Sequence, residues 1–159
     1  MKNEEALRQQ LAKMLDWGEA HVDFEKALSH IPFKHQGHLP PGAPYSAWQL
    51  LEHMRIALWD ILEFSLGSQH TSPKWPEGYW PATVAPPGDK AWQQSVNSFL
   101  GDLEGLRKLI TDPASDLFQP LAHGTGQTLL REALLVADHN AYHLGQLVLV
   151  RKALDAWPE

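Results

Sequence analysis

Apolar residues recur at spacings of three and four in four stretches of the chain, and segments rich in proline and glycine separate them. Such spacing collects the apolar side chains on one face of an α-helix. In residues 2–16 the stripe is Leu7, Leu11 and Met14; Gly18 interrupts it, and His21, Phe24, Leu28 and Ile31 continue it. This predicts a first helix in two pieces. Residues 32–45 hold four prolines and two glycines and predict a loop. Ser46 then opens a second helix of about twenty residues, because Ser46 and Gln49 make an S-x-x-Q capping box. Gly67 is its expected stop.

Residues 68–88 carry Pro73, Pro76, Pro81, Pro86 and Pro87 beside Trp75, Tyr79 and Trp80, which reads as a long aromatic crossover. From Asp89 the third helix places Trp92, Val96, Phe99, Leu103, Leu106 and Ile110 on one seam, and Asp112-Pro113 ends it. After Pro120, Gly124 and Gly126, Thr128 begins a last helix running to about Leu154. No repeat and no strand pattern interrupts this order. The expected fold is all-α: a four-helix bundle with a long crossover between helices 2 and 3, forming one domain over residues 1–159.

Composition narrows the chemistry. A chain of 159 residues can bury roughly 70% of its unfolded surface without a partner. With 13 Lys+Arg against 19 Asp+Glu the formal charge is -6, and no basic cluster exists to neutralise phosphates, so no nucleic-acid partner is expected. There is no Cys, so any metal must be held by His and carboxylates. No apolar stretch resembles a signal peptide or a membrane span, so a cytoplasmic protein without a membrane partner is expected.

The last helix contains DHNAYH, with His139 and His143 one turn apart on the stripe Leu129, Glu132, Val136, His139, His143, Gln146 and Val150. The second helix has its own stripe, Ser46, Leu50, His53, Ala57, Asp60 and Phe64, so His53 also faces inward. An H-x-x-x-H pair alone is a weak signal. Three inward histidines from two helices match the way bundles build metal sites. Neutral imidazole suits zinc, nickel, copper or iron, and three protein ligands leave positions open, as in catalytic sites. The bland alternative is three satisfied core histidines.

Of the remaining histidines, His30, His35 and His38 read as solvated loop residues, His70 as a helix-end residue, and His123 as part of a turn. His21 lies on an apolar stripe and is a pocket candidate, with Trp48, Tyr79 and Trp80. Asp60 sits two turns from His53, ~10 Å along the axis, too far to share its metal, and is expected to pair with a base such as His21 or an Arg. Glu52 and Asp138 project away from the ligands as solvated or supporting groups. Gln146, one turn beyond His143, is the better supporting candidate.

The stretches AHVDFEKAL, YSAWQLLEHMRIALWDILEFS, SPKWPEGYWP and HGTGQTLLREALLVADHNAYHLGQLVLVRKAL cover most of the chain, and in them it resembles the DinB-like superfamily. The resemblance implies a four-helix bundle whose metal is held by one His of the second helix, here His53, and an H-x-x-x-H pair of the fourth, here His139 and His143. Characterised relatives include thiol-dependent S-transferases and a maleylpyruvate isomerase, and members are often homodimers. The implied function is a divalent-metal-dependent enzyme, with zinc or nickel, acting as a transferase or hydrolase on a small molecule, with a low-molecular-weight thiol as partner. The alternative is a non-catalytic stress-related or interaction protein in which the metal is structural.

Overall fold

The structure, a computed structural model, describes residues 2–158 and is all-helical. In chain order the α-helices are α1 (Lys2–Met14), α2 (Phe24–Ala27), α3 (Phe33–Gln36), α4 (Ala47–Leu66), α5 (Ala91–Thr111) and α6 (Leu129–Ala153). A 3-10 turn, Glu77–Tyr79, lies between α4 and α5. Among the described residues no strand forms, and the only sheet-like contact is an isolated bridge from Pro120 to Thr128. No described helix is long and apolar enough to cross a membrane.

The four long helices begin and end close to where the pattern places them. Ser46 Oγ accepts from the Gln49 amide at 3.2 Å while Gln49 Oε1 accepts from the Ser46 amide at 3.1 Å, so the capping box is complete. Thr128 caps α6 through Arg131 N at 3.1 Å. All six seam residues of α5 are buried. Helix α4 packs on α5 and α6, and α1 lies against the same two. Their apolar faces meet in one core, where Leu51, Met54 and Leu58 of α4 join Leu103 and Leu106 of α5 and Leu144 and Leu147 of α6.

The region before α4 departs from expectation. Asp23 caps the amide of Lys26, so α2 starts only at Phe24 and spans a single turn, leaving His21 ahead of the helix and exposed. Leu28 and Ile31 are still buried, carried there by the chain after α2. The loop expected at 32–45 contains the one-turn α3, which follows Pro32. The whole segment is pinned by Arg151 of α6, which is fully buried and donates to the carbonyls of Ala27, Ser29 and His30.

The crossover 68–88 is fixed at both the second-helix start and the preceding loop. Ser46 Oγ donates to the Val84 carbonyl at 2.6 Å. Gly37 approaches Ala85 so closely that a Cβ at position 37 would collide with it. These contacts lay the aromatic end of the crossover across the face of α4 that carries His53.

Candidate metal centre

His53, His139 and His143 converge between α4 and α6, each offering a ring nitrogen, with these atoms within 4.8 Å of one another. Three close histidines of this kind can bind a metal ion. Among the described residues this is the only group of three or more His or carboxylate donors so placed. His30, His35 and His38 form no such group.

Each ring is held from behind. His53 Nδ1 lies 2.8 Å from the Tyr79 main-chain carbonyl, which only accepts, so Nδ1 carries the hydrogen and Nε2 is bare. His143 Nδ1 donates in the same way to Gln146 Oε1 at 2.8 Å. His139 Nδ1 lies 3.3 Å from Asn140 Oδ1. Its Nε2 is 3.0 Å from Nε2 of His53. Two metal–nitrogen bonds of ~2.0 Å in a tetrahedron span ~3.3 Å between nitrogens, close to the separation of this pair.

Burial makes the trio neutral. His53 and His143 both titrate below the ordinary imidazole range, chiefly because burial disfavours the charged ring. His139 is pushed down to about 4, again first by burial and then by its neighbour His143. Neutral imidazoles are the form that ligates metals.

The aromatic crossover closes one side. Trp80 stacks on His53 with ring centres 3.9 Å apart and planes 2° from parallel, and Tyr45 also stacks on Trp80, with ring centres 4.2 Å apart. On the open side lies a cavity of about 430 Å³, bounded by the three histidines and by Ala57, Asp60, Trp75 and Glu132 among others.

Four of the six expected pocket or supporting residues meet the site. Gln146 touches His143, Trp80 covers His53, Tyr79 holds His53 through its main chain, and Asp60 lines the cavity. Asp60 pairs with neither His21 nor an Arg: its Oδ1 meets His70 Nε2 at 2.7 Å and its Oδ2 accepts from the Tyr79 hydroxyl at 2.6 Å. The loop after α4 folds back far enough to bring His70 beside Asp60, so His70 is a half-buried partner of a carboxylate and not a free helix-end residue. Burial and the Asp60 carboxylate push the Tyr79 phenol up to about 12.

The other two candidates lie elsewhere. His21 is exposed, with Nδ1 on the Val22 carbonyl, and borders a separate depression beside Gly145 and Trp157. Trp48 is five residues before His53, about 140° around the helix, and is buried in the core instead. Glu52 forms a two-bonded ion pair with Arg55 away from the trio. The pattern did not single out Trp75, Arg131 or Asn140. Glu132 stood on the α6 stripe as an acid among core residues, which was the available signal for its place in the cavity wall.

No family model, curated protein or solved structure matches the chain.

Proposed function

We propose that this chain is a DinB-like four-helix bundle whose three histidines hold a divalent metal, zinc or nickel, and that it is a metal-dependent transferase or hydrolase of small molecules. The observation that supports this best is the convergence of ring nitrogens at one point while the opposite nitrogens are engaged by Tyr79, Asn140 and Gln146. Bare nitrogens facing one another in a buried site are unfavourable until a cation satisfies them together. The cavity beside the trio leaves room for water or a small molecule, which favours this reading over a closed structural site.

A metal in this position supplies a Lewis acid that lowers the pKa of a coordinating thiol or water. The protein's own groups set the conditions. Tyr79, Asn140 and Gln146 fix the ring orientations, Trp80 shields one side from solvent, and the cavity admits the substrate from the other. The same reading expects a low-molecular-weight thiol as co-substrate and a homodimer in the cytoplasm. Tyr142 and Leu149, exposed apolar side chains of α6, are a face for the second copy.

One observation favours a metal-free reading. Asn140 Nδ2 is buried without a partner. Turning that amide over would let it donate to His139 Nδ1, and His139 Nε2 would then donate to His53. Elemental analysis decides between the two. Protein prepared without a His-tag should carry close to one zinc or nickel per chain, and the His53→Ala/His139→Ala/His143→Ala variant should carry none; equal metal in both removes the site. Thiol conjugation that persists unchanged with chelator and in His139→Ala removes the metal-dependent role.

A further inference from the structure

The cavity beside the histidines has a second polar end. Asp60 follows His53 by seven residues on α4, and Glu132 precedes His139 by seven on α6, so each acid lies two turns, ~10 Å, from its histidine. Both acids and all three histidines line the same cavity. The antiparallel course of α4 and α6 therefore sets the carboxylates opposite each other at one end and the imidazoles at the other. Ala57 and Leu135 lie along the helices between, and Ile61, Phe64 and Trp75 also line the cavity. Trp75 is 71% exposed, an unusual place for an indole, with its ring 5.3 Å from that of Tyr79 at the cavity rim.

The carboxylate end is rich in acceptors. Glu132 is only 2% exposed; its Oε1 takes Arg131 Nη1 at 2.8 Å, and its Oε2 takes no donor from the described residues. Asp60 already accepts from Tyr79 and His70, and each of its oxygens has a further lone pair. Arg131, the one cationic side chain of the cavity wall outside the histidines, is spent on Glu132. Two carboxylates against one guanidinium disfavour an anion there and favour a donor with positive charge. Burial also raises the Glu132 pKa, a penalty that a cationic ligand would offset.

We propose that the substrate of this site has three parts: a metal-coordinating head at the histidines, an apolar body along Ala57, Leu135 and Trp75, and a primary ammonium at Glu132 and Asp60. This rests on the metal-centre reading above and adds the substrate class to it.

Three hydroxamates test it on the zinc-reconstituted protein by titration calorimetry. Acetohydroxamate supplies the head alone, octanohydroxamate adds the body, and 8-aminooctanohydroxamate adds the ammonium. The octano compound should bind at least about tenfold more tightly than the aceto compound, and Trp75→Ala should reduce that gain. The amino compound should gain about another tenfold in the unmodified protein. Glu132→Gln should abolish this last gain while metal content and the affinities of the other two probes stay unchanged. An amino compound that binds no better than the octano compound overturns the proposal on the unmodified protein alone, whether or not the variant folds. An ammonium gain that survives in Glu132→Gln also overturns it. Failure to load either zinc or nickel overturns the metal-centre reading itself; loaded metal with no ammonium gain overturns only the three-part substrate.

Discussion

The main-chain carbonyl of Tyr79 accepts from His53 Nδ1 at 2.8 Å, and this one bond fixes which nitrogen of His53 faces His139. The same residue is anchored at its other end, where its hydroxyl donates to buried Asp60 at 2.6 Å. Tyr79 thus ties the crossover to α4 at two points, two turns of helix apart. Because its phenol is pushed up to about 12, by burial first and Asp60 second, the donated hydrogen stays in place across the neutral range.

Tyr79→Phe should therefore weaken the site without touching a ligand. Losing the hydroxyl deprives Asp60 of one of two donors, at a cost of about 1–3 kcal/mol in unfolding free energy. Metal affinity should fall by about tenfold as the carbonyl loses its anchor. Competition against a chromophoric chelator measures the second effect and urea denaturation the first. Unchanged metal affinity would mean that the crossover holds its position without Asp60.

Acid should destabilise the metal-free protein through the same trio. His139 titrates near 4 in the fold, because of burial first and His143 second, whereas an unfolded histidine titrates near 6.5. The unfolded chain binds the proton more readily, so this contribution to stability is complete above about pH 6.5 and is lost progressively as the pH falls towards 4. His53 and His143, also lowered by burial, add to the slope. In chelator, the melting temperature should fall steadily from pH 7 to 4.5, and His139→Gln should flatten the curve. Parallel curves for the two proteins would show that the fold does not discriminate against charge at this position.

The inward position of the three histidines was legible because helix periodicity is local: residues 53, 139 and 143 sit on stripes that the sequence displays. The capping box at Ser46 was legible for the same reason. Gln146 beside His143 was legible too, being one turn away on the same helix, but what holds His53 was not. The Tyr79 carbonyl and the Trp80 stack come from 26 and 27 residues beyond His53, along a proline-rich path with no period to read. His21 failed as a candidate through a local competition, since Asp23 starts α2 after it and ends the apparent stripe. Trp48 failed because it lies about 140° around α4 from His53, which turns its side chain into the core.

Ser46→Ala should test how the crossover is fastened. The hydroxyl both caps the Gln49 amide and donates to the Val84 carbonyl. Cap loss alone costs about 1 kcal/mol, and loss of the second bond should bring the total to about 2 kcal/mol. Ser46→Gly, which is tolerated at a cap but also lacks the Val84 bond, should recover only part of this. Hydrogen exchange at residues 80–85 should accelerate in both variants; acceleration confined to the first turn of α4 would show that Val84 needs no tether.

Arg151→Met separates stability from the site. The guanidinium is fully buried with no carboxylate partner among the described residues; it is held by the carbonyls of Ala27, Ser29, His30 and Ala156 at 2.6 to 3.1 Å. Burial lowers its pKa, so the charge persists only because these acceptors replace water. Met fills much of the same volume but leaves the carbonyls unpaired, which should cost about 3 kcal/mol or more. Lys keeps the charge and cannot reproduce the fork, so Arg151→Lys should recover only part of the loss. Arg151 lies eight residues beyond His143, ~12 Å along α6. Its loss should release the 24–36 segment while the histidines stay in place. The Met variant should thus unfold at lower urea yet retain its metal affinity at low temperature. A parallel drop in metal affinity would show that the segment before α4, and not only the crossover, supports the geometry of the three histidines.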